Sequence, residues 1–148
     1  MRIDRALFAL SLVAAITPIN AQAAKGKYAD VNGLKMYYEV HGTGKPLVVL
    51  HGAFGTAEMW SSMLPDLSKN RQVVIIEQQG HGHTADRDSP LGYRQMASDT
   101  AELLKQLKIK GADVFGYSMG GTTARLGALG NGQTALERSL IYSEEQGW

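Results

Sequence analysis

Two short runs, Leu47-Val48-Val49-Leu50 and Val73-Val74-Ile75-Ile76, contain only apolar and mostly β-branched residues. A strand with one wet face alternates apolar and polar side chains. A run without alternation belongs to a strand covered on both faces, the usual situation of a central parallel strand. Upstream, residues 27–31 and 34–40 are β-rich and joined by Asn32-Gly33, a pair that tolerates the positive φ angles of a tight hairpin turn. Residues 41–46 form a loop by composition. Between the apolar runs, residues 57–63 predict a short helix that Pro65 disturbs. From Tyr93 to Leu107, apolar residues recur at helical spacing, and residues 139–142 predict a last strand. A hairpin followed by alternating strands and helices predicts an α/β sheet with helices on both faces. In such sheets the chemistry sits in loops beyond the carboxyl ends of the strands. Three segments meet that description: residues 51–56, residues 78–86, and the turn after the strand at 111–115.

That third turn is Gly116-Tyr117-Ser118-Met119-Gly120, followed by Gly121 and a segment that can begin a helix near Met119. A G-x-S-x-G pentapeptide between strand and helix is a nucleophile elbow. Its serine stands at the tip of a strained turn, and flanking glycines let strand and helix approach closely. The helix N-terminus behind it offers free N–H groups and a positive dipole end to a developing oxyanion. With 17 glycines in the chain, the pentapeptide alone is weak, and its placement carries the weight.

Two further motifs stand in order before the elbow. Leu50-His51-Gly52-Ala53-Phe54-Gly55 resembles the H-G-x-x-G oxyanion loop of the α/β-hydrolase superfamily, and Gln79-Gly80-His81-Gly82-His83-Thr84 resembles its R-G-H-G-x-S loop. The likeness runs from about Tyr28 to Leu126. It implies the N-terminal part of an α/β-hydrolase sheet: an antiparallel hairpin, then parallel strands with helices on both faces. It also implies a serine hydrolase of the esterase or lactonase kind, acting on a small acyl substrate without a cofactor or metal. Ser118 matches the nucleophile, and the backbone N–H groups of Met119 and Ala53 match the oxyanion donors, with Phe54 the alternative to Ala53. His51, Gly52, Gly116 and Gly120 match positions that shape the loops. A serine at this place sets the chain apart from the family's dehalogenases and epoxide hydrolases, which use an aspartate.

In this superfamily the triad follows the chain order serine, acid, histidine. After Ser118 the sequence has neither aspartate nor histidine; Glu144 and Glu145 fall near one position used for the acid. The resemblance therefore implies a chain truncated before its triad acid and histidine, and weakly active or inactive. A glycine interior to the elbow helix (Gly127), with Gly130 and Gly132 close by, departs from the usual regular helix. An uncovered apolar edge at the last strand leaves self-association open. The alternative reading is a non-catalytic module that keeps the elbow as a cradle for a small ligand or anion.

The remaining polar residues carry weaker signals. His81 and His83 form an H-x-H, but two ligands without a third make a poor zinc site, and both are expected to pack within their loop. His41 has no specific signal. Asp86 and Asp88 are expected as solvated loop charges, and Asp99 and Glu102 on the polar side of their helix. Lysine and arginine number 15 against 14 acidic residues, with no basic run, so nothing points to nucleic acid or an anionic membrane.

The first 23 residues predict a targeting segment. Arg2 and Arg5 precede an apolar stretch from Ala6 to Ile16, Pro18 and Asn20 break it, and Ala21-Gln22-Ala23 resembles a cleavage site. The stretch is too short to span a bilayer. The expected organisation is a signal peptide at 1–23 and a partial hydrolase domain at 24–148, periplasmic or secreted. With no cysteine in the chain, packing alone must hold it together.

Overall fold

The computed structural model describes residues 26–129 and 136–142. Residues 1–23, expected as a signal peptide, and Gly130, Gly132, Glu144 and Glu145 lie outside the described residues. Among the described residues, six strands form one sheet: β1 (Lys27–Val31), β2 (Leu34–His41), β3 (Lys45–Leu50), β4 (Arg71–Ile76), β5 (Ala112–Tyr117) and β6 (Leu136–Tyr142), in the order β1-β2-β4-β3-β5-β6. The β1–β2 and β2–β4 pairings are antiparallel; β4–β3, β3–β5 and β5–β6 are parallel. The hairpin turn falls where expected, with φ +48 at Asn32 and +78 at Gly33, and Val31 paired with Leu34.

The unalternating runs are central and covered twice over. Val48, Leu50, Val74 and Ile76 face a core that includes Leu103, Leu104, Val114 and Ala124, under α2 (Tyr93–Gln106) and α3 (Met119–Leu129). Leu47, Val49, Val73 and Ile75 face the opposite core with Ala57, Trp60 and Tyr37. Trp60 lies edge-on to Phe115, ring centroids 5.4 Å apart. The expected helix at 57–63 is instead a 3-10 turn at Ala57–Trp60, followed by the one-turn helix α1 (Leu64–Leu67). Pro65 sits in the first turn of α1, where a missing N–H costs nothing, so proline divides the segment. Helix α2 ends in a Schellman arrangement: the Lys108 N–H donates to Lys105 O and the Ile109 N–H to Leu104 O, with Lys108 at φ +58. Gly127 is buried inside α3.

At the amino ends of the parallel strands, Arg71 donates to Lys45 O (2.9 Å), Pro46 O (3.0 Å) and Asp113 Oδ2 (2.6 Å). Hydrogen bonding to Arg71 holds the Asp113 carboxyl below the usual carboxylate range. A second polar knot corrects the expectation that Asp99 lies on the polar side of its helix: the residue is buried. Its carboxylate accepts from Arg87 Nη2 (2.5 Å), Asn32 Nδ2 (2.9 Å) and Gln95 Nε2 (2.9 Å). The helix surface polar by composition thus meets the hairpin turn and the loop before α2, which supply Asn32 and Arg87, while Gln95 comes from α2 itself. Glu102 stays with Lys105 and Gln106 of its own helix.

Replacing Asp99 by alanine leaves the largely buried Arg87 guanidinium without its carboxylate. Urea unfolding should show a loss on the order of 2–3 kcal/mol. A loss under about 0.5 kcal/mol, the level of an ordinary surface substitution, would mean the knot holds nothing.

Candidate active site

The sheet's direction of growth reverses at β3. The connection through α1 carries the chain to β4 on one side, and the connection through α2 carries it back past β3 to β5 on the other. A crevice therefore opens beyond the carboxyl ends of β3 and β5, the place where such sheets bind ligands. Leu50 pairs with Gly116 at its base, and the loops leaving both strands meet above it.

Ser118 lies between β5 and α3 at φ +49, a left-handed conformation that a non-glycine residue adopts at a cost of about 1–3 kcal/mol. Its residue is exposed, and its carbonyl accepts the Thr122 N–H at 3.2 Å, the first bond of the helix. The N–H groups of Met119, Gly120 and Gly121 precede that bond and have no partner within α3. Two glycines make the turn fit. A Cβ on Gly116 would lie 2.4 Å from Gly120 O, and one on Gly120 would lie 2.2 Å from Leu50 O and 2.6 Å from His51 O. Helix α3 thus starts pressed against the end of β3.

The His51 loop comes to the same point. A Cβ on Gly52 would stand 2.7 Å from the Tyr117 ring and 3.4 Å from Ser118 Cβ, so the loop backbone runs directly beside the serine. The loop turns through a hydrogen bond from the Gly55 N–H to Gly52 O (3.0 Å), with Phe54 at φ +61 in the third position of the turn. Among the described residues, the Ala53 and Phe54 N–H groups make no hydrogen bond. The Phe54 side chain is 98% exposed. A cavity of about 390 Å³ lies between residues 53–55 on one side and residues 80–82 on the other, with Leu91 and Met119 completing its lining.

His51 is wholly buried, and both ring nitrogens are committed. Nδ1 donates to Gly52 O at 2.7 Å, and Nε2 accepts the Gln78 N–H at 2.9 Å. Burial is the main cause that lowers its pKa, favouring the neutral ring that this pair of contacts requires. A ring so occupied shapes the loop and has no nitrogen left to receive a proton. The rings of the H-x-H pair find different partners. His81 lies 4.9 Å from the His51 ring and donates from Nδ1 to Gln79 O (2.8 Å), while His83 stacks on Tyr37 at 4.4 Å. His41 meets Glu39 at 2.7 Å. Asp86, though exposed, accepts from Gln79 Nε2 at 2.7 Å, which holds its pKa below the ordinary value.

One residue of this region escaped the reading of the sequence. Glu77, immediately after β4, is fully buried. It accepts the Ala57 N–H at 2.8 Å and the His83 N–H at 2.5 Å, and lies 3.2 Å from His83 Nδ1. Thr84 Oγ1 donates to Glu77 O and accepts the Tyr37 N–H, both at 2.8 Å. The available signal was a carboxylate directly continuing a run of buried β-branched residues.

Against known proteins, residues 45–130 match the family model described as the alpha/beta hydrolase fold. The chain belongs to the α/β-hydrolase family. It is 32% identical over 113 residues to the soluble epoxide hydrolase of Corynebacterium sp. (strain C12), covering 76% of this chain and 39% of that protein. It is 35% identical over 104 residues to the human serine hydrolase BPHL, covering 66% and 36% respectively. The solved enol-lactonase of Burkholderia xenovorans LB400 superposes with a TM-score of 0.72 at 30% identity, covering 76% of this chain and 45% of that one. The chain thus spans less than half the length of these hydrolases. Serine at position 118 does not set it apart from epoxide hydrolases by overall likeness, contrary to the expectation from the nucleophile alone. One elbow side chain weighs little against a shared scaffold of strands and glycine turns.

The lowered pKa of His51 carries a sign. Between its native value and the ordinary value of 6.5, the unfolded chain binds a proton that the native chain refuses. Its contribution is present above pH 6.5 and is lost as pH falls through the native value. Urea midpoints should therefore drop between about pH 7 and pH 5, and less so in His51→Gln. Equal pH dependence in both proteins would show that His51 is not held neutral.

Proposed function

We propose that this hydrolase-family chain carries the nucleophile-bearing part of a serine hydrolase for a carboxylic ester or related acyl compound. The observation that supports it most is the exposed Ser118 at positive φ, at the start of α3 and beside the backbone of the Gly52 turn. In this reading Ser118 Oγ attacks the carbonyl carbon, and the carbonyl π electrons move onto oxygen. The N–H groups of Met119 and Ala53 receive that oxyanion, with Phe54 the alternative to Ala53. Donors fixed before the charge develops need no reorganisation when it appears, the main advantage of such a site. The proton leaving Oγ needs a base, and none of the 30 residues after Ser118 is a histidine or an aspartate. By themselves the chain's residues are accordingly read as weakly active or inactive. The chain is exported by residues 1–23 and open to self-association at the β6 edge. Its substrate is a small molecule, with no cofactor, nucleic acid or membrane surface required.

A second reading has an observation of its own. Unpaired N–H groups at the start of α3 also suit a non-catalytic cradle for a small ligand or anion.

An alkyl fluorophosphonate separates the two, because it reports the serine without needing turnover. Intact mass should show slow labelling confined to Ser118, with ester turnover less than about a hundredfold above Ser118→Ala. No labelling would favour the cradle, and faster turnover would remove the claim of an incomplete site. For export, the periplasmic form should begin at Ala24; a soluble cytoplasmic form retaining Met1 would overturn the signal reading.

A further inference from the structure

The loop that presents Ala53 and Phe54 is pinned at both ends, and both pins come from consecutive residues leaving β4. At its start, His51 Nε2 accepts the Gln78 N–H at 2.9 Å; at its end, the Ala57 N–H donates to Glu77 Oε1 at 2.8 Å. Between the pins lie the Gly52–Gly55 hydrogen bond and the two unpaired N–H groups. The second oxygen of Glu77 accepts from the His83 N–H in the loop across the cavity. One buried carboxyl group therefore fixes the spacing of the two loops whose residues 53–55 and 80–82 line that cavity.

The local backbone is fitted to this carboxyl group. A Cβ on Gly82 would lie 2.4 Å from its Cδ, and Gly82 itself is at φ +54, so the second loop closes around Glu77 only with glycine there. Burying a carboxyl group is costly unless its oxygens are satisfied, and here backbone N–H groups satisfy both. An apolar side chain would fill the same space without that cost but would leave both N–H groups unpaired. What the carboxyl group adds is direction, through two acceptors aimed at two loops.

We propose that Glu77 is a positioning residue for the oxyanion donors. Through the Ala57 N–H it sets the height and tilt of the Ala53 turn beside Ser118, without touching substrate. This rests on the serine-hydrolase reading above.

Two substitutions cut the same hydrogen bond from opposite sides. Glu77→Gln keeps the size but turns an amide NH₂ toward one of the two donors. Ala57→Pro removes the donor itself; proline is suited to the first position of a helical turn, and Thr56 before it is already extended at φ −135, ψ 178. The readout is the rate at which an ethyl fluorophosphonate labels Ser118 of the full chain, measured by intact mass against probe concentration. Both variants should lower the maximal labelling rate by about tenfold to a hundredfold, the effect of misplacing an oxyanion donor by up to an ångström. The half-saturating probe concentration should stay within about twofold, because an unchanged cavity binds the ground state equally well. Circular dichroism and thermal unfolding identify variants that remain folded, and Ala57→Pro decides if Glu77→Gln does not fold. A folded variant with an unchanged maximal rate, or one altered only in half-saturation, overturns the proposal. Wild-type chain that never labels at Ser118 removes the hydrolase reading and this one together.

Discussion

Strand β3 is paired in parallel on both edges and buried on both faces, and the chemical end of the molecule depends on that position. Its last residue, Leu50, is in register with Ile76 of β4 and Gly116 of β5. Three chain segments therefore leave the sheet side by side at the same height. The His51 loop leaves in the middle, the Glu77 segment on one side and Ser118 on the other. A one-residue slip of β3 would turn its apolar side chains to the opposite core and move the His51 loop away from the elbow. Burial on both faces prevents this, since every position of the run already fills one core or the other.

The two ends of the sheet are electrically unlike. At the amino ends of the parallel strands, Arg71 ties β3, β4 and β5 together through two carbonyls and Asp113. At the carboxyl ends, hydrogen bonds are made by backbone N–H groups, a neutral histidine and one buried carboxyl group whose oxygens point at backbone donors. The cavity lining carries no lysine, arginine, aspartate or glutamate. The one carboxyl group near them, that of Glu77, has each oxygen taken up by a backbone donor and so does not occupy the unpaired Ala53 and Phe54 N–H groups.

What could be read from the sequence was what depends on local pattern. The hairpin at Asn32-Gly33, the two doubly buried runs, the periodicity of α2 and the strand–elbow–helix succession all arise from neighbours within a few residues. The structure places each close to its expected bounds. Partners distant in sequence were not legible. Asp99 sits on a helix face that reads as polar, and only the arrival of Asn32 and Arg87 buries it. Glu77 falls between the apolar run ending at Ile76 and the loop read from residue 78, and only Ala57 and His83, distant in sequence, make it a buried acceptor. At residues 57–63 the pattern predicts a short helix that Pro65 disturbs. The structure has a 3-10 turn at Ala57–Trp60 and a separate start at α1, because the proline ring fits a helix start better than a helix interior.

Strain is concentrated where those distant contacts are densest. Four described non-glycine residues have positive φ, and two of them, Phe54 and Ser118, stand on adjoining turns at the crevice. The other two, Asn32 and Lys108, occupy a hairpin turn and a helix end, where local hydrogen bonding favours the conformation. Phe54 and Ser118 are held from outside. Ser118 is fixed by the packing of Gly120 on the end of β3, and Phe54 by a turn whose flanks are anchored to Gln78 and Glu77. A strained residue persists only while its surroundings over-determine it. The glycines at 52, 116 and 120 let the backbones approach closely enough for that to happen. An alanine at Gly120 would push strand and helix apart and release Ser118 toward the relaxed αR or β regions. The elbow's geometry is thus a property of the contact between β3 and α3, two elements separated in the chain by most of the fold.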